Sequence, residues 1–381
     1  MKRICTFFMV VLIVTTFAAC RNNIPAVSAM PTDKENSIAA SRVFDGLMLE
    51  DNCKLSLDGT VAWPNGAFAY EVQDEMMMSA DDIAAVLLGG KYESKSDGNF
   101  ENDDFTLSIS GSSIRLTGKG EKVRGIVEHA VPYDSAEYDS PGYQRRGISK
   151  ADYGTENLPF MSMENAAVEV KTVLNQVGLK NLELHHGFAL DKETIMKNIK
   201  KSVEYALDDF GDSAAEVDTA RLQSLAELEY DDEDECYFFI FEMRLDDIPV
   251  LTGTSTQTQR EISGAEICCL YSKDGLVDIT AKHVPYSVTA TGERQLVIAP
   301  GEAAKALLAQ FNATEEKLNI GSVRLCYAYY NKEYSRLTPT WVFIASCERN
   351  PSTIENKTYT YYLYYAVNAL TGEMVVYDIR M

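Results

Sequence analysis

Residues 162–178, "SMENAAVEVKTVLNQVG", have the clearest helix pattern in the chain, and the fold prediction starts from them. Ser162 is of a type that caps the first turn of a helix, and Gly178 is of a type that ends one. Between them, apolar residues recur every three or four positions, which is the period of an amphipathic helix. The stretch therefore predicts a helix with one buried face, formed by Met163, Ala166, Ala167, Val170, Val173, Leu174 and Val177.

A similar pattern returns near residue 300, so the chain contains a weak internal repeat. Apolar strands follow each predicted helix, at 182–186 and 236–245 in the first copy and at 323–330 and 340–346 in the second. Each copy ends in a hairpin with glycine in its turn, at 271–276 and 368–373. One helix packed on an antiparallel sheet, twice over, predicts an α+β fold. The second helix face contains Ala304, Leu307, Leu308 and Phe311.

The remaining segments complete the predicted domain organisation. Residues 43–160 read as an N-terminal α+β region, with a short helix at 79–88, strands at 54–57, 105–116 and 122–131, and a loop from 132 to 159. The first repeat then covers 161–298, with additional helices near 194–210 and 214–228, and the second covers 299–381. Residues 21–42 are small and polar without a period, and predict a flexible tether.

The first 20 residues have the features of a secretory signal peptide. Lys2 and Arg3 precede an apolar run from residue 4 to residue 19. This run is shorter than the roughly 20 residues that a membrane-spanning helix needs, so an uncleaved anchor is the weaker alternative. The run ends in "FAAC", and Ala18-Ala19 before Cys20 resembles the lipobox of bacterial lipoproteins, in which the cysteine is lipidated. Phe17 departs from the usual Leu or Val of that motif.

Cys20 is therefore the predicted lipidation site and the membrane attachment point. Two or more acyl chains anchor a protein stably, since each buried methylene contributes about 0.8 kcal/mol. The alternative is an unmodified cysteine in an ordinary secretory signal. The sequence thus predicts a lipoprotein on the extracytoplasmic face of a bacterial cell membrane.

The net charge of −22 excludes one class of partner. Nucleic acid requires lysine and arginine to neutralise its phosphates, so no nucleic-acid partner is expected. The same charge repels anionic lipid headgroups, which places the folded part away from the membrane surface.

Six cysteines remain when Cys5 and Cys20 are assigned to the leader and the lipid. An even number outside the cell permits three disulfides, but the apolar surroundings favour buried free thiols. No Cys and His spacing typical of zinc is present, and no cofactor is expected. The six are Cys53, Cys236, Cys268, Cys269, Cys326 and Cys347.

Several segments together resemble a family of clostridial lipoproteins that is classed as a domain of unknown function. They are "WPNGAFAYEV" at 63–72, "DDIPVLTG" at 246–253, "CLYSKDGLVDITAKHVPYSV" at 269–288, "LTPTWVF" at 337–343 and "YYAVNALTGEMV" at 364–375. More distantly, the repeat is similar to YycH and YycI, membrane-anchored extracytoplasmic regulators of a cell-wall sensor kinase. The resemblance implies an envelope location and supplies no catalytic residue.

No residue pattern in the chain identifies a reaction. Metalloprotease, serine-hydrolase and phosphate-loop motifs are absent from the sequence. His185 and His186 are expected on a strand with diverging rings, and the acidic run at 229–235 lacks the spacing of a calcium loop. We therefore predict no catalytic residue and no metal site. A carboxylate-dependent envelope hydrolase and a structural spacer remain the alternatives, because paired carboxylates leave no spacing signature.

Tyrosines cluster at 327–330 and 359–365, and they could form the floor of a peptide or glycan site. Tyr327, Tyr329, Trp341 and Tyr361 are the residues predicted to lie nearest to such a ligand. The alternative is that these aromatic side chains belong to the sheet and its core. The sequence thus predicts a binding or regulatory protein whose ligand is an envelope protein, a peptide or a glycan.

Overall fold

The structure is a computed structural model, and it describes residues 36–49, 51–73, 76, 78–132, 143–210, 219–252, 262–311, 318–330, 333–349 and 359–375. The predicted leader, Cys20 and residues 21–35 of the predicted tether lie outside the described residues. The helices in the described part are α1 (Ala80–Leu87), α2 (Glu121–Gly125), α3 (Met163–Gln176), α4 (Lys192–Phe210), α5 (Thr219–Glu227) and α6 (Pro300–Phe311).

The strands of the described residues form two large sheets and two small ones. In chain order they are β1 (Asn36–Ala39), β2 (Cys53–Leu55), β3 (Thr60–Trp63), β4 (Gly66–Gln73), β5 (Glu93–Ser96), β6 (Asn99–Glu101), β7 (Phe105–Ser110), β8 (Ser113–Gly118), β9 (Gln144–Arg145), β10 (Ile148–Ser149), β11 (Leu182–Leu190), β12 (Cys236–Leu245), β13 (Ile248–Pro249), β14 (Ile262–Ser263), β15 (Glu266–Ser272), β16 (Gly275–Lys282), β17 (Ser287–Leu296), β18 (Leu318–Tyr330), β19 (Glu333–Arg349) and β20 (Tyr359–Asn368).

Sheet 1 has the order β11-β12-β15-β16-β8-β7-β6-β5, with β13 paired to β12. Sheet 2 has the order β14-β18-β19-β4-β17. Two further strands join sheet 2, since β20 pairs with β19 and β2 pairs in parallel with β18. All other pairings in these two sheets are antiparallel, which with the helices makes the fold α+β, as predicted.

Helix α3 begins and ends where its sequence predicts. The Ser162 Oγ accepts a hydrogen bond from the Asn165 amide at 3.3 Å, which satisfies one free donor of the first turn. Ala166, Val170 and Leu174 are buried on the face that packs against β11, β12 and β15. The predicted apolar stripe is thus the contact between this helix and sheet 1.

Strand β12 is covered on both faces, because helices pack on both sides of sheet 1. Tyr237 and Phe239 join the main hydrophobic core, to which α3 also contributes. Phe238 and Ile240 point the other way, into a second cluster that contains Ile199 of α4. The side chains of consecutive strand residues alternate between faces, so a doubly covered strand is almost entirely apolar. This explains the run "CYFFIFEM" at 236–243.

The second repeat follows the same plan, with α6 preceding β18, β19 and β20. Ala303, Ala304 and Leu307 have no exposed surface, and α6 packs against β20. These residues belong to the main core together with Phe343 of β19. Side chains from both large sheets therefore share one core.

The two large sheets do not follow the predicted domain boundaries. Strand β8 of the N-terminal region pairs with β16, so residues 93–118 extend sheet 1. Strand β4 pairs with both β17 and β19 in sheet 2. Residues 36–42 of the predicted tether form β1 and a 3-10 turn, and all described residues belong to the compact unit Asn36–Met381. Strand pairing between distant segments, rather than sequence order, thus organises the molecule.

The strand predicted at 122–131 is helical. Helix α2 continues into a π-helical turn, Ile126–Ala130, that packs against α4. Ile126 and Ala130, four positions apart, are buried in the same cluster as Ile199 of α4, which the helix allows. Tertiary packing outweighs the modest strand preference of valine.

No helix in the described residues combines the length and the hydrophobicity required to cross a membrane.

Candidate functional site

Three of the four aromatic residues predicted near a ligand lie in the hydrophobic core. Tyr327 and Trp341 have no exposed surface, and Tyr329 is 1% exposed. Their side chains belong to the main core, to which both large sheets contribute. These three side chains therefore belong to the sheet and its core, which was the alternative to a position beside a ligand.

Each of these aromatic side chains joins separate segments of the chain. The Trp341 Nε1 donates a hydrogen bond to the Ile298 carbonyl at 3.0 Å, and the ring meets Trp63 edge to face, with centroids 6.0 Å apart. The Tyr329 Oη donates to the His283 carbonyl at 3.2 Å, which ties β18 to the end of β16. Each of these two hydrogen bonds satisfies a polar group that burial removes from water.

Tyr327 belongs to a cluster that connects the two large sheets. Its ring meets the Tyr70 ring edge to face, at a centroid distance of 5.3 Å. The Tyr70 Oη in turn donates to the Asp246 carboxylate, in the turn between β12 and β13. Burial raises the pKa of both tyrosines well above the usual value, so both phenols stay protonated. The cluster is a contact between sheets, not a reactive site.

Tyr361 lies on β20, opposite Cys347 of β19. Its side chain lies outside the described residues.

A cleft of about 430 Å³ lies on sheet 2, where β17, β18, β19 and β20 come together. Its volume is within the range of about 300–1,000 Å³ that is usual for small-ligand sites. Most of its lining side chains carry hydroxyl, amide or charged groups. They are Gln295, Tyr330, Glu333, Arg336, Thr338, Asn368, Leu370 and Thr371.

A chain of hydrogen bonds holds the side chain of Tyr330, the last residue of β18. The Thr340 Oγ1 donates to the Thr338 carbonyl at 2.8 Å, and its oxygen lies 2.7 Å from the Tyr330 Oη. A threonine hydroxyl has a single proton. The Tyr330 Oη is therefore the donor to Thr340, and burial raises the pKa of this phenol well above its usual value. The Tyr330 Oη thus keeps its orientation and its proton.

Asn368 is fixed by the turn that follows β20. Its Oδ1 accepts hydrogen bonds from the amides of Leu370 at 2.9 Å and Thr371 at 3.2 Å. With the oxygen used in the turn, the Nδ2 group remains as a donor. The glycine turn predicted at 368–373 thus also places an amide donor in the lining of the cleft.

The charged residues of the cleft are exposed and lie on β19. Arg336 stands opposite Glu71 of β4 in the strand register. In the described part of the chain, neither Arg336 nor Glu333 makes a hydrogen bond or an ion pair through its side chain. Arg115, Arg221 and Arg244, in contrast, are each paired with a carboxylate. Arg336 is therefore a cation available to a ligand.

Lysines from three other segments neutralise part of the acidic run at 229–235. The Lys122 Nζ lies 2.6 Å from the Asp234 Oδ2, and the Lys273 Nζ lies 2.8 Å from the Glu233 Oε2. Lys192 pairs with Asp232 in the same way. Among the described residues, no group of three or more His, Cys, Asp and Glu could hold a metal ion.

The histidine pair at 185–186 differs from its prediction. The rings were expected to diverge, but their centroids lie 4.1 Å apart. The register between β11 and β12 shifts between Leu184 and His186, so a bulge disturbs the alternation. His185 Nδ1 lies 3.6 Å from the Glu242 carboxylate.

The six cysteines form no disulfide with one another; four are buried as predicted, whereas Cys53 and Cys268 are half-buried. Cys269 faces the main core, whereas Cys268 packs against the second cluster, as expected for neighbours on a strand. Burial raises the pKa of the Cys326 thiol to about 12, and those of Cys236 and Cys269 are also raised. Thiols with raised pKa values are poor nucleophiles.

Comparisons with known proteins support the fold and leave the family open. No protein-family model matches the chain, and no curated protein matches it. The crystal structure of an uncharacterized protein from Eubacterium rectale is similar, with a TM-score of 0.56, 14% sequence identity, and coverage of 87% of this chain and 92% of that one. The C-terminal domain of YpeB from Bacillus megaterium also matches, with a TM-score of 0.27 and 12% identity over 78% of this chain and 94% of that one. At these identities, the likeness to the Eubacterium rectale protein shows a shared α+β fold.

Proposed function

We propose that this protein is a lipid-anchored binding protein on the extracytoplasmic face of a bacterial membrane, related to the clostridial lipoproteins that it resembles. The apolar leader that ends in Ala18-Ala19-Cys20 supports the location. The cleft on sheet 2 supports the binding role, and it is the observation that carries the proposal.

The lining of the cleft favours binding over carboxylate-dependent hydrolysis. A glycoside hydrolase needs two carboxyl groups about 5–10 Å apart. Glu333 is the one acidic side chain in the described lining of the cleft. The other lining groups are hydrogen-bonding groups, an arginine and a leucine, which suit recognition of a polar ligand.

Replacement of Cys20 tests the predicted anchor. We expect Cys20→Ser to release the protein from membranes, because the acyl chains that hold it are attached to that thiol. Metabolic labelling with a radioactive fatty acid should mark the wild type and leave the variant unmarked. Cys53→Ser, in the folded part, is the matched control. Equal labelling of wild type and Cys20→Ser would disprove lipidation at Cys20.

Photo-crosslinking from the cleft tests the binding role. A photoreactive amino acid at Gln295, an exposed cleft residue, should crosslink an envelope component in intact cells. The same amino acid at Val168, which is 59% exposed on α3, is the control. Adducts that form equally from both positions, or from neither, would contradict a ligand site in this cleft.

A further inference from the structure

We propose that the cleft binds the carboxylate end of a peptide, with Arg336 as the residue that recognises the carboxylate. This inference rests on the proposed binding function and names the ligand class of the same site.

Arg336 is available to a ligand, although the protein is rich in acidic residues. The chain has 57 acidic and 35 basic residues, so a basic side chain near the surface usually has a carboxylate within reach. Arg336 is exposed and makes no ion pair in the described residues, even though Glu71 lies opposite it. A guanidinium presents a rigid fork of donors that matches the two oxygens of a carboxylate. The unused donors of Arg336 thus match an incoming carboxylate.

The lining of the cleft contains both hydrogen-bond donors and hydrogen-bond acceptors. The Asn368 Nδ2 and the Gln295 amide add neutral donors to the arginine. Glu333 adds an acceptor for a peptide N–H, and Leu370 adds an apolar surface for a small side chain. A peptide end carries a carboxylate, an amide N–H and a side chain within a few atoms of one another. The cleft contains a complementary group for each.

The lining of the cleft suits a peptide carboxylate better than a neutral glycan. Sugar rings bind well against open aromatic faces, and three of the four aromatic residues predicted for that role, Tyr327, Tyr329 and Trp341, are buried. Tyr330, the aromatic residue in the described lining, has its hydroxyl committed to Thr340. Among the described lining residues, Tyr330 thus supplies one aromatic ring, whereas the unpaired guanidinium of Arg336 can pair with an anion.

A ligand-observed NMR titration of the full-length protein in detergent tests this inference. The probes are acetyl-Ala-Ala with a free carboxylate, the same dipeptide as its C-terminal amide, and a neutral chitotriose. We expect the carboxylate to bind and the amide to bind on the order of tenfold more weakly, since hydrogen bonds to charged groups contribute more than neutral ones.

Arg336→Gln should remove this preference. The variant keeps an amide donor but loses the charge, so we expect it to bind the carboxylate and the amide equally. Arg124→Gln is the matched control, because Arg124 is also exposed and makes no ion pair in the described residues but lies on α2. Unfolding of each variant by heat shows whether it remains folded.

Three outcomes would overturn the inference: equal binding of carboxylate and amide by the wild type, tighter binding of chitotriose, and absence of binding by the dipeptide carboxylate. None of these outcomes contradicts the proposed binding function, which the crosslinking experiment at Gln295 tests separately. A failure of the peptide inference can therefore be distinguished from a failure of the proposed function. If Arg336→Gln still prefers the carboxylate, another residue recognises it, and the role proposed for Arg336 is wrong.

Discussion

The carboxyl group of Asp278 shows how a single residue links the structure to pH. Asp278 lies on β16 and is 5% exposed. Burial raises its pKa to about 6, although the charge of Arg115, 3.7 Å away, and the hydroxyls of Thr117 and Thr280 act in the opposite direction. The folded protein therefore holds this proton at pH values where the unfolded chain has released it.

This difference predicts a loss of stability as the pH rises. The unfolded carboxyl titrates at 3.8 and the folded one at about 6, so the folded state binds more protons between these values. The free energy of unfolding should fall across this range by up to about 3 kcal/mol, at 1.36 kcal/mol per pKa unit. Asp278→Asn removes the titration. Its stability relative to the wild type should therefore rise from pH 4 to pH 7, as measured by urea unfolding.

The control for this experiment is Asp274→Asn, which removes an exposed carboxylate from the turn before β16. A stability difference between Asp278→Asn and the wild type that stays constant with pH would contradict the role of Asp278.

For individual side chains, the sequence predicts which ones share a face of a strand but not which face is covered. The neighbours Cys268 and Cys269 lie in different clusters, as the alternation of a strand predicts. Tyr327 and Tyr329 were predicted to lie near a ligand, but both are buried in the main core, among residues far away in sequence. Burial depends on long-range packing, and a local alternation does not contain that information.

At the scale of elements, prediction succeeds where caps and period agree. Helix α3 has a serine cap, a 3.6-residue period and a terminal glycine, and all three are used in the structure. Strand β12 has the predicted bounds because it is apolar on both faces. Residues 122–131, in contrast, have β-branched residues at helical as well as strand spacing, and packing against α4 decides between them. The bulge at His185 likewise depends on its partner strand, so sequence alone does not predict it.

At the scale of the whole molecule, sheets 1 and 2 are each assembled from segments that are distant in sequence. The candidate cleft is a product of this assembly, since Gln295 comes from β17 and its other described residues from the second repeat. The sequence predicts the glycine turn that fixes Asn368, but it does not predict that β17 lies beside this turn. Long-range pairing of this kind explains why the second helix-and-sheet unit was predicted and the site between its strands was not.

The assembly predicts that residues 299–381 do not fold alone. Such a fragment lacks β4 and β17, and it also lacks Trp63 and the Ile298 carbonyl, which contact Trp341. Its apolar side chains would lose the partners from sheet 1 with which they share a core, and a unit this small buries little surface unaided. We expect an insoluble fragment, or a soluble one without a cooperative thermal transition in near-ultraviolet circular dichroism.

Co-expression provides the positive control for this prediction. The break before Ala299 falls at an exposed position between β17 and α6. Residues 1–298 expressed together with 299–381 should associate and melt as the intact chain does, because the core that both pieces share can still form. A 299–381 fragment that melts cooperatively on its own would instead show that the second repeat is an independent domain. Its core would then be sufficient without the strands that the first 298 residues contribute to sheet 2.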